Sequence, residues 1–382
     1  MTSRFAFATA TQILFGRGQS AEAAGRIAAM GRAVLLVQGA TPVRADWLAR
    51  ALEAQGCTVT RLPVPREPDL PMILSALEDA KGAQVVVALG GGAVIDAGKA
   101  LAACLTMTRP VLDHLEVVGQ GLPLDHQPLP FVAIPTTAGT GAEVTRNAVI
   151  GVPDARRKVS LRDARMLPAL AIVDPGLTDG CPRGVTLASG LDAITQVIEP
   201  YVCTRANPLA DALCRDAIPR GLTAIMRLME AEDPQARDEM AWVSLCGGLA
   251  LANAGLGAVH GLAGPLGGLT GAAHGAICGA LLPHVLLANR QAVTDPALAA
   301  RLDQVGAWIG ATFGRGGATL PQAAALLGEW SRAAGLPGLA AQGIDAAAQQ
   351  AAAEAAATSS SMKANPAPLS VAALRAVMRA AS

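Results

Sequence analysis

Two of the chain's five histidines, His260 and His274, flank a glycine-rich segment, Gly264–Gly268. Upstream, Asp192 and Gln196 are four residues apart in a helical pattern, so both side chains project from one helix face. A carboxylate and two imidazoles suit a divalent transition metal that keeps one position open for a substrate. The alternative is that each histidine is an ordinary buried residue whose polar atoms are satisfied by hydrogen bonds.

A glycine-rich turn lies in the first half of the chain. The apolar run Val87–Leu89 leads directly into Gly90, Gly91 and Gly92, after which a helical pattern begins. Backbone N–H groups and a helix N-terminus then face one point, where a phosphate group is stabilised. The turn does not have G-x-G-x-x-G spacing, and a tight strand-to-helix turn requires glycine whether or not it binds a ligand. Both interpretations remain open at this point.

A second polar turn, Pro135–Thr145, also follows a strand pattern. Its hydroxyl groups at Thr136, Thr137 and Thr140 lie beside two glycines. Hydroxyls next to open backbone suit contacts with a phosphate, a ribose or a carboxamide. Lys158 either adds a positive charge to the same ligand or is a solvated lysine in a basic run.

These candidate residues need two kinds of scaffold to position them. Between Arg32 and Pro175, short apolar runs alternate with helical patterns, which predicts parallel strands joined by crossover helices. The predicted strands are Ala33–Val37, Gln84–Leu89, Phe131–Ile134 and Ala171–Val173. From Val185 onward, alanine- and leucine-rich helical segments dominate. We therefore predict an α/β N-terminal dinucleotide-binding domain over residues 1–183 and an all-α C-terminal domain for metal and substrate over 184–382.

The composition limits the partners of the protein. Its 382 residues include 30 basic and 30 acidic side chains without a basic block, which argues against a nucleic acid or an anionic membrane surface. The apolar runs are shorter than the roughly 20 residues needed to cross a bilayer, and Met1–Arg17 matches a signal peptide poorly. The seven cysteines lack CxxC spacing and are predicted to be ordinary semi-buried thiols of a cytoplasmic protein. A small molecule is the expected partner.

Taken together, these residues resemble the iron-containing (group III) alcohol dehydrogenase family, which also includes maleylacetate reductases. The resemblance runs nearly end to end. Besides the two turns, it rests on Phe5–Gly18 as an opening hairpin, Ile172–Pro175, Ser189–Ala193, Ile198–Tyr201, Asn207-Pro208, residues 260–284 and Asn365-Pro366. It implies a dehydroquinate-synthase-like fold, with cofactor and metal in a cleft between the two domains, and a homodimer or larger homo-oligomer.

The resemblance implies NAD or NADP as cofactor. The implied contacts are Gly39, Asp69, Gly90, Gly91, Gly92, Asp96, Lys99, Thr136, Thr137, Thr140, Asn147 and Lys158. Ala93 stands where the family usually has serine. NAD-preferring members have an acidic residue after the first strand, where this chain has Gln38-Gly39. Nothing there repels a 2′-phosphate, and Arg44 is near in sequence, so the choice between NAD and NADP stays open.

For the metal, Fe²⁺ or Zn²⁺, the resemblance implies Asp192, Gln196, His260 and His274 as ligands. The family usually has histidine at the position of Gln196. A neutral amide oxygen is a weaker donor than an imidazole, so the metal affinity should fall. Many members have a further histidine where this chain has Gly264, so a proton relay through that position is excluded.

The resemblance implies hydride transfer between a nicotinamide and the carbonyl carbon of a small aldehyde, ketone or oxo acid. With a metal bound, the substrate oxygen is polarised; without one, as in maleylacetate reductases, His260 or His274 would donate the proton as the catalytic acid. A lyase or cyclase of the same fold would need a basic phosphate-binding cleft, and the second half of the chain has little lysine. The remaining alternative is a non-catalytic nucleotide-binding module, which steady turnover of NADH or NADPH would exclude.

Overall fold

A six-stranded parallel sheet organises the first half of the chain in the computed structural model, which describes residues 4–357 and 359–382. In sheet order the strands are β1 (Ile13–Phe15), β8 (Leu170–Val173), β5 (Phe131–Pro135), β4 (Val85–Gly90), β2 (Ala33–Gly39) and β3 (Thr58–Val64). A separate antiparallel pair consists of β6 (Asn147–Val152) and β7 (Arg157–Arg162). The strands form because β-branched and leucine-rich runs bury both faces of a parallel sheet.

The helices of this half cover the sheet. They are α1 (Ala23–Ala28), α2 (Asp46–Ala54), α3 (Leu70–Asp79), α4 (Gly92–Cys104) and α5 (Val111–His114). Alternate residues of one strand enter two different apolar cores: Leu35 and Val37 of β2 pack in one, and Val34 and Leu36 in the other. This alternation places a hydrophobic layer on each face of the sheet.

The second half of the chain is helical. Its helices are α6 (Arg183–Val202), α7 (Pro208–Glu230), α8 (Pro234–Asn253), α9 (Ala258–Thr270), α10 (His274–Ala292), α11 (Pro296–Thr312), α12 (Leu320–Ala333), α13 (Ala346–Ala356) and α14 (Val371–Ala380). They share one core, to which α6 contributes Leu191, Ile194 and Ile198. The predicted fold class, an α/β half followed by an all-α half, is confirmed.

The chain divides into two units. The sheet unit consists of Thr9–Thr137 and Gly141–Asp179, and the helical unit consists of residues 4–8, Ala138–Thr140 and Gly180–Ser382. Within the described residues, no single helix is both long and apolar enough to cross a membrane, and only α8 and α9, which meet at 98°, reach that length together.

The opening hairpin expected over Phe5–Gly18 is a wrong prediction. Only Ile13–Phe15 of that segment forms a strand, and it pairs in parallel with β8 at the sheet edge. Gly16 and Gly18 have positive φ values of 136° and 83°, so the chain leaves the strand direction directly after Phe15.

Candidate active site

The two polar turns of the sheet unit lie at one edge of its sheet. Gln38 pairs with Leu89, and Gly90 pairs with Pro135, so Gly39, Gly90 and Pro135 end three adjacent parallel strands. The backbone N–H of Thr136 also donates to the Gly90 carbonyl at 3.0 Å. The carboxyl edge of a parallel sheet is the usual place for a nucleotide, and among the residues predicted to bind it this edge brings together Gly39, Gly90 and Thr136.

The glycine turn leaves the start of α4 open. Gly91 is extended, with φ −75° and ψ −177°, and no side chain caps the helix that begins at Gly92. A Cβ on Gly90 would lie 2.6 Å from a methyl group of Val94, and one on Gly91 would lie 3.3 Å from the Thr137 hydroxyl. Glycine is therefore needed sterically at position 90, and the free N–H groups of the first turn can hydrogen-bond a phosphate.

Lys99 forms hydrogen bonds within the sheet unit. Its side chain is buried, and its ammonium donates to the carbonyls of Ala142 at 2.7 Å and Asn147 at 2.8 Å and to the hydroxyl of Thr145 at 2.9 Å. Burial lowers the pKa of Lys99 to about 8, although the charges of Asp96 and Glu143 oppose the shift. An ammonium has three protons, so all three are used in fixing the 142–147 segment to α4. Lys99 therefore positions the segment, and its predicted contact with a cofactor would need a fourth donor.

Other predicted cofactor residues also have partners within the sheet unit. The Asp96 carboxylate accepts from the Val149 N–H at 3.2 Å. Asp69 caps α3 by accepting from the Met72 N–H at 2.9 Å, and Lys158 pairs with Glu67. Both Asp69 and Lys158 lie opposite Gly151 of β6. Contacts of these three side chains with a cofactor stay predictions.

In the helical unit, four side chains point their donor atoms at one place. Asp192, His260, His274 and Cys278 each offer one atom, and these atoms lie within 4.8 Å of one another. The Asp192 Oδ1 atom is 3.4 Å from His260 Nε2 and 3.9 Å from His274 Nε2. We call these four residues the donor cluster. It contains three of the four predicted metal ligands, although they are up to 82 positions apart in sequence.

Three helices supply the donor cluster. Asp192 lies in the middle of α6, His260 lies in the first turn of α9, and His274 begins α10, with Cys278 one turn later. Helix α6 approaches α10 closely because α10 has glycine at the contacts: a Cβ on Gly275 would lie 2.4 Å from the Ala188 carbonyl oxygen.

Side chains from other parts of the chain cap the first turn of α9. Its N-cap is Gly257, which has no side chain to accept from the free N–H groups. Asn365 Oδ1 instead accepts from the Ala258 N–H at 3.0 Å, and Glu199 Oε1 accepts from the Val259 N–H at 2.7 Å. The other Glu199 oxygen lies 2.7 Å from His260 Nδ1. This bond places a proton on Nδ1, so Nε2 is the ring atom that can offer a lone pair to a metal ion at the cluster.

Burial and neighbouring groups shift the pKa values of Asp192 and His274 in the donor cluster. Burial raises the pKa of Asp192, but the neighbouring His260 and His274 outweigh it and leave the pKa below its usual value. Burial lowers the pKa of His274, yet the neighbouring Cys278 sulfur and the charge of Asp192 raise it to about 9. The site therefore attracts positive charge.

A divalent metal ion fits this site by two criteria. Asp192 Oδ1 is buried and has no hydrogen-bond partner within the described residues, which is costly for a carboxylate oxygen unless a cation or another donor reaches it. A carboxylate and two imidazole nitrogens are also the ligand types that Fe²⁺ and Zn²⁺ accept. Asp192, His260 and His274 would hold such an ion.

Gln196 occupies its predicted position on the same face of α6 but has a partner of its own. Its side-chain nitrogen donates to the Gly139 carbonyl at 2.6 Å, and the side chain is buried.

Sequence analysis missed Cys278 and Glu199. The available signals were helical spacing, since Cys278 is four residues after His274 and Glu199 is seven after Asp192. The prediction that all seven cysteines are ordinary semi-buried thiols overlooks Cys278, and every cysteine except Cys181 is buried.

Replacing Gly275 with alanine tests the close approach of α6 and α10. The added methyl group meets a backbone carbonyl, so the helices must separate, and we expect the free energy of unfolding to fall by about 2–3 kcal/mol. Chemical denaturation and metal analysis would measure the stability and the metal content, which should fall together. Gly184→Ala is the matched control, because a Cβ there has no atom within 4 Å, and it should leave both values unchanged or higher.

Replacing Glu199 with glutamine tests how His260 is positioned. Glutamine has one acceptor oxygen where glutamate has two, so either the Val259 N–H or the His260 ring loses its partner. We expect metal affinity to fall about 10- to 100-fold, as for other groups that orient a metal-ligating histidine. Competition with a chelator of known affinity measures the change. An unchanged affinity in a folded variant would show that Glu199 does not orient the ring.

The comparisons with known proteins agree with this arrangement. The family model "Iron-containing alcohol dehydrogenase" matches residues 10–175, and its C-terminal counterpart, "Fe-containing alcohol dehydrogenase family, C-terminal", matches residues 186–382. The chain is 35% identical to alcohol dehydrogenase 4 of Schizosaccharomyces pombe over 78% of this chain and 71% of that protein. It is 36% identical to 4-hydroxybutyrate dehydrogenase of Cupriavidus necator over 69% and 71%.

A solved structure extends the similarity to the whole chain. A crystal structure of 1,3-propanediol oxidoreductase superimposes with a TM-score of 0.88 at 28% identity and covers 100% of both chains. The parallel sheet with its open glycine turn and the donor cluster of the helical unit are consistent with the class that the relatives define, oxidoreductases that act on CH–OH groups. The chain belongs to the iron-containing alcohol dehydrogenase family.

Proposed function

We propose that this protein interconverts a small primary alcohol and its aldehyde, or a hydroxy acid and its oxo acid, with NAD or NADP and a divalent metal ion. The observation that carries the proposal is the buried Asp192 oxygen, which has no hydrogen-bond partner in the described structure and faces two imidazole nitrogens. Relatives whose names state an unbranched primary alcohol, 4-hydroxybutyrate and 1,3-propanediol, support the substrate class.

When bound, a nicotinamide would supply the hydride, and Asp192, His260 and His274 would hold a metal ion that supplies Lewis-acid chemistry. The residues of this chain prepare the site for them. The Asp192 carboxylate supplies the negative charge that balances a cation, and Glu199 keeps the Nε2 lone pair of His260 aimed inward. The open first turn of α4 binds the anionic part of the nucleotide.

His274 marks the side from which a substrate reaches the donor cluster. Its side chain is 32% exposed, whereas those of Asp192 and His260 are 3% and 6% exposed. Water is therefore largely excluded from two of the ligands, whereas the third is partly exposed. A small carbonyl compound approaching His274 would meet a largely buried cluster, where electrostatic stabilisation of a developing alkoxide is stronger than in water.

Aldehyde reduction before and after metal removal tests the proposal. NADH and NADPH oxidation would be followed with the aldehydes that correspond to the two alcohols above and with a set of oxo acids, alongside metal analysis of the same preparation. We expect about one metal ion per chain, loss of turnover after chelation, and recovery on adding Fe²⁺ or Zn²⁺. Full turnover by metal-free protein would overturn the metal-assisted mechanism in favour of the metal-independent, maleylacetate-reductase-like one. Absence of turnover with every substrate and both cofactors would overturn the proposed activity itself.

A cytoplasmic location and a homo-oligomeric state are further proposals. The seven free cysteines support the first, because reduced thiols are typical of that compartment. Size-exclusion chromatography with light scattering would test the second.

A further inference from the structure

Cys278 lies inside the donor cluster rather than beside it. Its sulfur is 3.7 Å from His274 Nε2 and 4.0 Å from His260 Nε2, and the residue is fully buried. It follows His274 by one helical turn on α10, so the two side chains project from the same helix face. The thiol thus faces the same two imidazole nitrogens as the Asp192 carboxylate.

These separations match the spacing of ligands around one ion. With metal–sulfur and metal–nitrogen bonds of about 2.3 and 2.05 Å in a tetrahedral site, sulfur and nitrogen lie about 3.6 Å apart. Two ligands with bonds near 2.1 Å lie about 3.4 Å apart by the same geometry. The observed values are 3.7 and 4.0 Å from sulfur to nitrogen and 3.4 and 3.9 Å from Asp192 to the two imidazoles. Shifts of a few tenths of an ångström would bring all four atoms onto one ion.

Gln196 is less suited to complete the site. Its amide nitrogen is bonded to the Gly139 carbonyl, which fixes the amide plane, and its oxygen is neutral. The unpartnered Asp192 oxygen is an independent sign that a cation belongs in the cluster. One carboxylate and one thiolate balance both charges of a divalent ion, whereas Asp192 with a glutamine amide balances only one.

We propose that Cys278 is the fourth ligand, as a thiolate, of the metal ion held by Asp192, His260 and His274, and that it replaces the Gln196 amide in this role. The proposal rests on the proposed function only in placing a metal at this cluster. On binding, the Cys278 S–H bond gives up its proton to solvent, and the sulfur lone pair forms the bond to the metal. Thiolate is a soft ligand, so this donor set favours Zn²⁺ over Fe²⁺ more strongly than three imidazoles and a carboxylate do.

Cobalt substitution tests the ligand directly, because a thiolate bound to Co²⁺ gives a near-ultraviolet charge-transfer absorption that nitrogen and oxygen ligands do not give. The comparison uses wild type, Cys278→Ser, Cys278→Ala, Gln196→Ala and Cys246→Ala. Cys246 is the matched control, since it is another buried thiol of the helical unit and burial raises its pKa to about 12. Circular dichroism would confirm that each variant is folded.

We expect the absorption in wild type, Gln196→Ala and Cys246→Ala, and its loss in both Cys278 variants. Zinc affinity of the Cys278 variants should fall by at least about 10-fold, and the ratio of zinc to iron taken up from an equimolar mixture should fall with it. Stoichiometric Co²⁺ binding by wild type without the absorption would overturn the Cys278 proposal and leave the proposed function standing. Loss of the absorption in Gln196→Ala but not in Cys278→Ser would also overturn it. If the wild-type protein reduced aldehyde but bound no metal, the proposal that the donor cluster holds a metal ion would be wrong, and with it the Cys278 proposal.

Discussion

Replacing Asp192 with asparagine is expected to lower kcat/KM for aldehyde reduction by about 10³-fold or more. Asparagine has the shape of aspartate but no charge, so α6 keeps its packing while the cluster loses the anion that compensates a cation. A Lewis acid contributes several kcal/mol to stabilising the developing charge, and about 4 kcal/mol corresponds to 10³ in rate. Initial rates and metal content would be measured on the same preparation, and both should fall.

Asp303→Asn is the control for Asp192→Asn. Asp303 also lies in the helical unit, but its side chain is 52% exposed and forms a surface ion pair with Arg290. Loss of that pair should leave the rate and the metal content within experimental error of wild type. If Asp192→Asn kept more than a tenth of the wild-type kcat/KM, the carboxylate would not be needed at the cluster and the metal-assisted mechanism would be contradicted.

The central strands of the sheet are predictable from sequence because burial dictates their composition. Strands β4, β5 and β8 are continuous apolar runs, and β2 is one as far as Val37, as strands covered on both faces must be. Strand β3 escapes the same analysis. It lies at the sheet edge, most of its residues are exposed or half-buried, and it contains Arg61 and Pro63. An edge strand needs little apolar surface, so its sequence resembles a loop.

The sequence predicts those site residues whose type alone suggests a metal ligand. Asp192, His260 and His274 are recognisable because carboxylates and imidazoles in a helical domain are the expected metal ligands, and the structure brings them together. Cys278 is not recognisable as a single cysteine among seven. Its meaning depends on α10 beginning at His274, because only then do the two side chains share a face. Helix ends are the feature that sequence patterns fix least well.

The roles of site residues also depend on their hydrogen-bond partners within the chain, which no sequence pattern reveals. The resemblance predicts Lys99 as a cofactor residue, yet all three of its donors are used by the 142–147 segment. Glu199 forms a hydrogen bond with His260, which lies 61 positions later in the sequence. Such pairs are set by the three-dimensional packing of helices and loops, and a sequence that keeps both partners does not show that they meet.

Replacing Lys99 with methionine is expected to lower the free energy of unfolding by about 3–5 kcal/mol. Methionine fills a similar volume, so the loss comes from polar groups rather than from a cavity. The carbonyls of Ala142 and Asn147 and the hydroxyl of Thr145 lose a donor, and buried groups left without partners are costly. Glu143, whose pKa burial raises to about 7 although Lys99 opposes this shift, also loses a compensating charge.

Lys81→Met separates this effect from the loss of any lysine. Lys81 has a side chain that is 69% exposed and pairs with Glu78 three residues away on the surface, so its removal should cost less than about 0.5 kcal/mol. Urea denaturation of wild type and both variants measures the difference. Because Lys99 ties the 142–147 segment to the helix that begins at the glycine turn, KM for the nicotinamide cofactor should rise in Lys99→Met and stay constant in Lys81→Met. A folded Lys99→Met protein within 1 kcal/mol of wild type would show that the three ammonium bonds do not stabilise the sheet unit.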